Sequence, residues 1–256
     1  MDIKILGAHN CESQSSRMVS LLIDGTVAID AGALTSSLSF QAQQELKAIL
    51  LTHHHYDHIR DIPAIGMNAF LHNTSIKIYS TRSVYDILAA HLMNNILYPD
   101  FLERPAGNPA IKFTSIEPHH NEQIEGYSVL ALPVAHSELT VGYQVTSSDG
   151  KAVFCTGDTG PGLAECWKYV SPQLLITEVT APDIYKEWAS HNGHLTPSLL
   201  KQELISFQKL NGYLPRVVTV HMNPALEKEI VAEIAVIAET LKSSIMVGYE
   251  GMQIRI

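Results

Sequence analysis

The chain has 256 residues, 46% of them hydrophobic, and a formal charge of −9 from 17 Lys and Arg against 26 Asp and Glu. That length and apolar share support a substantial core and exclude a disordered chain. The acidic balance excludes a broad nucleic-acid-binding face, whose affinity comes mainly from cationic contacts to phosphates. In chain order, strand-like runs at 3–7, 19–23 and 26–30 lead to Asp30-Ala31-Gly32, a turn signal, and then to a helix at about 37–46. A strand at 48–52, a His-rich loop and a helical pattern near 61–70 follow, then a strand at 76–80 and a helix from 82 to 93. Segment 94–110, with Pro99, Pro105, Gly107 and Pro109, is the most irregular stretch and reads as a flap or partner-binding insertion.

From 111 the pattern restarts, with strands near 111–116, 127–134, 141–146 and 152–156, a short helix at 163–169 and a strand at 173–178. Helices at about 182–190 and 197–209, a strand at 216–220, a helix at 225–241 and strands at 245–249 and 252–256 complete it. Ile230, Ile234, Ile237 and Leu241 give the 225–241 helix one apolar face. Two halves of similar strand-then-helix content imply two packed sheets with helices outside, a single layered α/β domain over 1–256. Cys11, Cys155 and Cys166 contain no Cys-x-x-Cys pair and read as buried thiols of a reducing compartment. The first residues, Met1-Asp2-Ile3-Lys4-Ile5-Leu6-Gly7, read as a strand and not as a secretory leader, and no apolar stretch nears the roughly 20 residues that span a bilayer. The expectation is a soluble, cytoplasmic protein.

The most informative segment is Leu51-Thr52-His53-His54-His55-Tyr56-Asp57-His58, a crowd of imidazoles and a carboxylate directly after an apolar run. Neutral imidazole and carboxylate are the ligands that borderline divalent metals prefer. Extended backbone sends His53 and His55 to one side and His54 to the other, so two histidines can share an ion. Asp57 and His58 lie past the strand end, where they can reach a second ion. Three more ligand-type residues follow apolar strands: His136 after 129–134, Asp158 in Cys155-Thr156-Gly157-Asp158, and His221 after 216–220. Strand ends along one edge of a sandwich converge, and together these seven residues are what two metals sharing a carboxylate need.

The ordered set His-x-His-x-Asp-His, His136, Asp158 and His221 resembles the metallo-β-lactamase superfamily over nearly the whole chain. The resemblance implies a four-layer αβ/βα sandwich, one metal on His53, His55 and His136, another on Asp57, His58 and His221, and Asp158 bridging. The cofactors implied are two divalent metal ions, with zinc the default and manganese or iron suited to the same donors. Aspartate at 158, where zinc β-lactamases place a cysteine, turns the reading away from antibiotic hydrolysis. A narrower resemblance lies in Gly193-His194-Leu195-Thr196-Pro197, preceded by Ile176-Thr177-Glu178-Val179, and in His136-Ser137-Glu138-Leu139-Thr140. These runs are similar to class II cyclic-nucleotide phosphodiesterases, and the His-x-Thr element is similar to that of ribonuclease Z.

That resemblance implies cleavage of a small anionic phosphodiester such as a 3′,5′-cyclic nucleotide. Asp57 would act as ligand and water-orienting residue, His194 as proton donor to the leaving group, and Glu178 as the group that orients His194. The bland alternative makes His194 a helix-start residue, with Thr196 capping the helix that Pro197 begins. His9, His54, His72, His91, His119, His120 and His191 are left as structural or surface residues. Rival activities on the same centre are ribonuclease Z-like tRNA processing, acyl (lactone or thioester) hydrolysis, and a metal-containing protein without turnover. The 94–110 insertion holds one Arg and no Lys, unlike a basic RNA-binding arm. Nucleic acid and membrane are not expected partners, whereas a homodimer is expected from the resemblance.

Overall fold

Successive side chains of a strand point to opposite faces, and in the first four strands this divides the apolar residues between two cores. These are β1 (Asp2–Gly7), β2 (Ser20–Ile23), β3 (Val27–Ile29) and β4 (Ala48–Leu50) of a computed structural model that describes residues 1–256. Ile3, Ile5, Leu21, Ile23, Val27, Ile29, Ala48 and Leu50 enter one cluster, whereas Leu6, Leu22, Ala28 and Ile49 enter another. With both faces covered, these strands are apolar over most of their length, Asp2, Lys4 and Ser20 excepted, which is why they read clearly in the sequence.

β5 (Ile76–Ser80), β6 (Ile111–Ser115) and β14 (Gln253–Arg255) complete a seven-stranded sheet in the order β14-β1-β2-β3-β4-β5-β6. The second seven-stranded sheet contains β7 (Asn121–Ile124), β8 (Tyr127–Pro133), β9 (Val141–Thr146), β10 (Ala152–Cys155), β11 (Leu174–Glu178), β12 (Arg216–Val220) and β13 (Ile245–Val247). Its order is β13-β12-β11-β10-β9-β8-β7. Both sheets are mixed, with β3 through β6 and β10 through β13 running parallel.

Helices form the outer layers. On the first sheet they are α1 (Leu34–Ser37), α2 (Phe40–Glu45), α3 (Tyr56–Ile59), α4 (Ile62–Leu71) and α5 (Arg82–Ile87). Ile59, Ile62, Ile65 and Val84 pack there against Ile49 and Ile78. On the second sheet, α6 (Lys186–His191) precedes α7 (Pro197–Asn211) and α8 (Glu227–Leu241), whose Leu200, Leu204, Ile230 and Ile234 join the larger core. Truncating one of these to alanine costs about 2–5 kcal/mol. The result is the expected α/β sandwich of four layers. No helix is long and apolar enough to cross a membrane.

Several local expectations need correction. The helix expected at 37–46 is broken into α1 and α2, because Leu38 is extended (φ −109°, ψ 136°) and the Ser39 hydroxyl accepts from the Ala42 N–H to start a new helix. The 82–93 helix is regular only to Ile87 and continues as a π turn over Leu88–Leu92. The 163–169 segment is a 3-10 helix, and 182–190 opens as one over Asp183–Tyr185. Strand β7 has no counterpart in the expectations, since an edge strand reading Asn-Glu-Gln-Ile buries only its last residue. In the irregular 94–110 segment Phe101, Leu102 and Ala110 are buried and Phe101 packs 5.5 Å from Phe70, and of its large apolar side chains Ile96 and Leu97 are the exposed ones. Cys11 is exposed, whereas Cys155 and Cys166 are buried as expected.

Candidate metal centre

Strands running the same way end at the same edge, and that edge gathers the polar residues singled out above. His53 and His55 follow β4, Asp57 and His58 occupy α3, His136 follows β8, Asp158 follows β10 and His221 follows β12. Donor atoms of His53, His55, His136 and Asp158 lie within 4.8 Å of one another, as do those of Asp57, His58, Asp158 and His221. A third such group joins Asp158 and His221 to Glu178 and His194. Asp158 belongs to all of them: its carboxylate lies 3.8 Å from His53 Nε2, 3.7 Å from His136 Nε2, 3.2 Å from His58 Nε2 and 3.1 Å from His221 Nε2. His221 Nε2 is also 3.1 Å from Asp57, and His55 Nδ1 is 3.1 Å from His136 Nε2.

These spacings match donors around ions whose bonds are about 2.0–2.1 Å long, which sit roughly 3.3 Å apart in a tetrahedron. An independent sign is that the buried atoms His53 Nε2, His58 Nε2 and Asp158 Oδ1 have no hydrogen-bond partner. Buried polar atoms left unpaired are costly and need an explanation. Divalent metals supply one, and the donor set fits them.

The other ring nitrogens explain why these atoms are lone pairs. Asp30 is fully buried and accepts from His58 Nδ1 at 2.7 Å. It also accepts from the Thr52 hydroxyl at 2.9 Å, which leaves the Thr52 oxygen to accept from His53 Nδ1 at 3.0 Å. On the opposite sheet Glu178 Oε2 accepts from the Thr180 hydroxyl at 2.6 Å, and that oxygen accepts from His221 Nδ1 at 2.9 Å. His136 Nδ1 donates to the Gly193 carbonyl at 2.9 Å. In each case Nδ1 is engaged as a donor, so Nε2 is the atom left to face the centre and ligate. Asp30 and His221 hold left-handed backbone, φ 59° and 63°, a cost in conformational energy met where the fold must aim these side chains.

Two glycines permit the close approach of the segments. A Cβ on Gly193, whose φ is 72°, would fall 2.8 Å from His136 Cα. One on Gly32 would fall 2.1 Å from the Asp57 carbonyl oxygen. Gly193 thus brings its carbonyl to His136, and Gly32 lets the His-rich loop seat against the end of β3.

Electrostatics separate the two groups. Burial and neighbouring imidazoles hold His53 well below the ordinary histidine range and bring His55 down to about 4. Burial likewise lowers His136. Burial also disfavours charge on His58 and His221, but Asp158 with Asp30 and Asp57 for His58, and with Asp57 and Glu178 for His221, raises both above the usual value. Asp57 is held low by His58 and His221 against the opposing effect of burial. The three-histidine group is therefore neutral and ready to ligate, whereas loading the other group displaces protons.

His194 stands at the side of the centre, and its ring stacks on His221 at 5.5 Å with an interplanar angle of 18°. Its Nδ1 donates to Glu178 Oε1 at 2.7 Å, and Glu178, buried, also accepts the N–H groups of Thr159 and Leu195. Burial lowers the His194 pKa, but the Glu178 charge and hydrogen bond prevail and raise it to about 9. Thr196 does not cap α7: its hydroxyl makes no cap bond and is buried without a partner. The capping explanation of the 193–197 run thus fails, although Pro197 does open the helix. Of the histidines set aside, His9 is buried against Glu250 at 2.7 Å. Residues the sequence reading missed are Asp30, Thr52 and Thr180. Asp30 carried the same signal as the ligands, a carboxylate directly after an apolar strand.

Beside the centre lies an open cleft of about 360 Å³, lined by His55, Asp57, Asp158, His194 and His221 together with Asn10, Cys11, Met18 and Tyr56. Two mixed sheets between helix layers, with a histidine–aspartate cluster at their shared edge, define the metallo-β-lactamase class. A family model described as a beta-lactamase superfamily domain matches residues 21–222, and the chain belongs to that family. Among solved structures, unliganded yeast PDE1 superposes with a TM-score of 0.85 at 16% identity, covering 100% of this chain and 99% of that one. The short form of human tRNase Z superposes with a TM-score of 0.70 at 19% identity, covering 100% and 99%. Zn²⁺-bound PqqB from Methylobacterium extorquens does so with a TM-score of 0.71 at 15% identity, covering 100% of both chains. At such identities the likeness is one of fold. No curated protein matches the chain.

Proposed function

We propose that this protein is a metal-dependent phosphodiesterase acting on a small phosphodiester, with 3′,5′-cyclic nucleotides as the substrate class. The observation that carries the reading is the His194–Glu178 pair, a proton-bearing imidazole held 2.7 Å from a buried carboxylate beside the ligand cluster. In this reading His53, His55 and His136 hold one divalent ion, Asp57, His58 and His221 hold the other, and Asp158 serves both. Zinc is the default and manganese or iron fit the same donors. When bound, such ions supply Lewis-acid stabilisation of phosphoryl oxygens and acidify water toward neutrality.

Two divalent ions outweigh the charges of Asp57 and Asp158, so the loaded cleft is cationic and attracts a phosphodiester despite the net charge of −9. Asp57, held ionised, also orients the attacking water. The Glu178 carboxylate favours the protonated form of His194, which gives its proton to the departing alkoxide, and Glu178 fixes the ring through Nδ1 so that Nε2 is the donating atom. Free cysteines at 11, 155 and 166 fit a cytoplasmic setting.

Two of the neighbours described above, yeast PDE1 and human tRNase Z, lend the phosphodiester reading support by analogy. Cleavage of tRNA ranks below a small substrate because the 94–110 segment offers a single cation, Arg104. The test is a metal-analysed preparation assayed against cyclic nucleotides, a generic phosphodiester, a lactone and precursor tRNA. Cleavage of the first two is expected. Activity confined to acyl substrates would overturn the reading.

A further inference from the structure

The Glu178 hydrogen bond holds His194 at one ring nitrogen, which fixes a point on the imidazole and leaves its plane free to turn about that point. Other rings lie against it. His221 stacks at 5.5 Å and 18°, the indole of Trp188 stacks at 6.1 Å and 17°, and His136 stands 4.8 Å away, tilted by 54°. Both stacks fall within the range of about 4.5–7 Å between ring centroids that offset aromatic pairs prefer. Trp188 is 51% exposed and belongs to neither apolar core, so filling the interior does not account for its place. Its aromatic partner is His194.

The helix that carries Trp188, α6, is tied down at both ends. Ahead of it, the Asp183 N–H donates to Glu233 Oε2 on α8 at 2.8 Å, and Asp183 Oδ1 accepts from the Ser198 N–H on α7 at 2.8 Å. At its far end the Trp188 carbonyl accepts from the Asn192 N–H at 3.0 Å and from Asn192 Nδ2 at 2.8 Å. The carbonyl of Ala189, a buried residue, accepts from the His194 N–H at 2.8 Å. Gly193, at φ 72°, makes the turn between them. Indole and imidazole thus sit on one hydrogen-bonded piece of backbone, and support of that kind holds a reacting group to its working geometry. Aim matters for the transfer, since a misplacement of about 1 Å can cost about 10²-fold in rate.

We propose that Trp188 is a positioning residue for His194: its indole fixes the plane of the imidazole, and with it the direction in which Nε2 points at the leaving oxygen. Glu178 sets where the ring is held and Trp188 sets how it is turned. The proposal rests on the reading of His194 as proton donor. An indole that served instead as a wall for substrate would act on KM and would not depend on His194.

The experiment is a double-mutant cycle on the metal-loaded protein, with wild type, Trp188→Ala, His194→Ala and the double variant assayed on 3′,5′-cyclic AMP and Trp188→Phe as the conservative control. Trp188→Ala is expected to lower kcat about three- to tenfold, the worth of one offset aromatic pair, with KM little changed, and Trp188→Phe to keep most of the wild-type kcat. In the His194→Ala background the same substitution should change kcat by less than about twofold. An equal loss in both backgrounds, or a loss confined to KM, overturns the proposal. A second readout needs no turnover. NMR relaxation of the His194 ring in the metal-free protein is expected to show an ordered ring in wild type and Trp188→Phe and a mobile one in Trp188→Ala. A ring equally ordered in Trp188→Ala overturns the proposal whatever the enzyme cleaves. Absence of cyclic AMP cleavage, or full kcat in His194→Ala, would sink the phosphodiesterase reading or the proton-donor role, and ring order would then decide by itself whether Trp188 fixes His194.

Discussion

Asp30 in the first sheet and Glu178 in the second perform the same task with one difference. Each is a buried carboxylate that accepts a hydrogen bond from the hydroxyl of a threonine, Thr52 or Thr180, whose oxygen in turn accepts one from Nδ1 of a histidine facing the centre. Asp30 spends its remaining capacity on a second histidine of the metal cluster, His58. Glu178 spends it on His194, which lies outside the seven-residue set that the sequence motif defines. The two floors of the centre are thus alike in how they aim imidazoles, and the second adds a proton-bearing group. The seven-residue cluster draws on both sides, and the added proton-bearing group sits on the Glu178 side.

Removing the residue that both sides share has the largest effect. Asp158→Ala leaves His58 and His221 without their common counter-charge, and metal analysis should find both ions lost and activity at background. Next comes His194→Ala, expected to lower kcat about 10²–10⁴-fold, the range for a general acid, with metal content retained. Loss of metal in that variant would instead make His194 a ligand. Asp30→Asn should weaken metal binding about 10–100-fold in a chelator competition. Glu178→Gln should do the same through His221 and, unlike Asp30→Asn, also lower kcat at saturating metal. Equal kcat values for the two variants would erase the difference between the floors.

The smallest effect is one of pH on stability. His194 is raised from the ordinary value near 6.5 to about 9. Its pairing with Glu178 therefore stabilises the metal-free fold fully below about pH 6.5, and that stability is lost as pH rises toward 9. The Tm difference between metal-free wild type and His194→Gln should shrink over that window. In the loaded enzyme the nearby cations oppose the proton, so the alkaline limb of kcat falls below 9.

Much of the centre was legible because the ligand-type residues lie just past the ends of apolar strands, with Asp57 and His58 on the short helix that follows β4, and strands that run together end together. The covered strands of both sheets were legible for the same reason, being apolar on both faces. What was not legible depends on distant partners or on polar edges. Asp30 meets His58 across 28 positions, and its role as an acceptor exists only once β3 and β4 lie side by side. Gly193 read as part of a motif, yet its use is to place a carbonyl against a histidine 57 positions away. Strand β7 is polar because it lies at an edge, and the break between α1 and α2 rests on Ser39 finding the Ala42 N–H. Thr196 read as a cap on type alone, and burial of its hydroxyl withdrew it from that role.

The central claim is that His194, held by Glu178, protonates the group leaving phosphorus. It is tested most directly by the dependence of the His194→Ala defect on the leaving group. A nitrophenolate departs without a proton, whereas the alkoxide of a nucleoside does not. The account predicts a kcat defect of about 10²-fold or more on a cyclic nucleotide, shrinking to a few-fold on a nitrophenyl phosphodiester. The same defect on both substrates would contradict it.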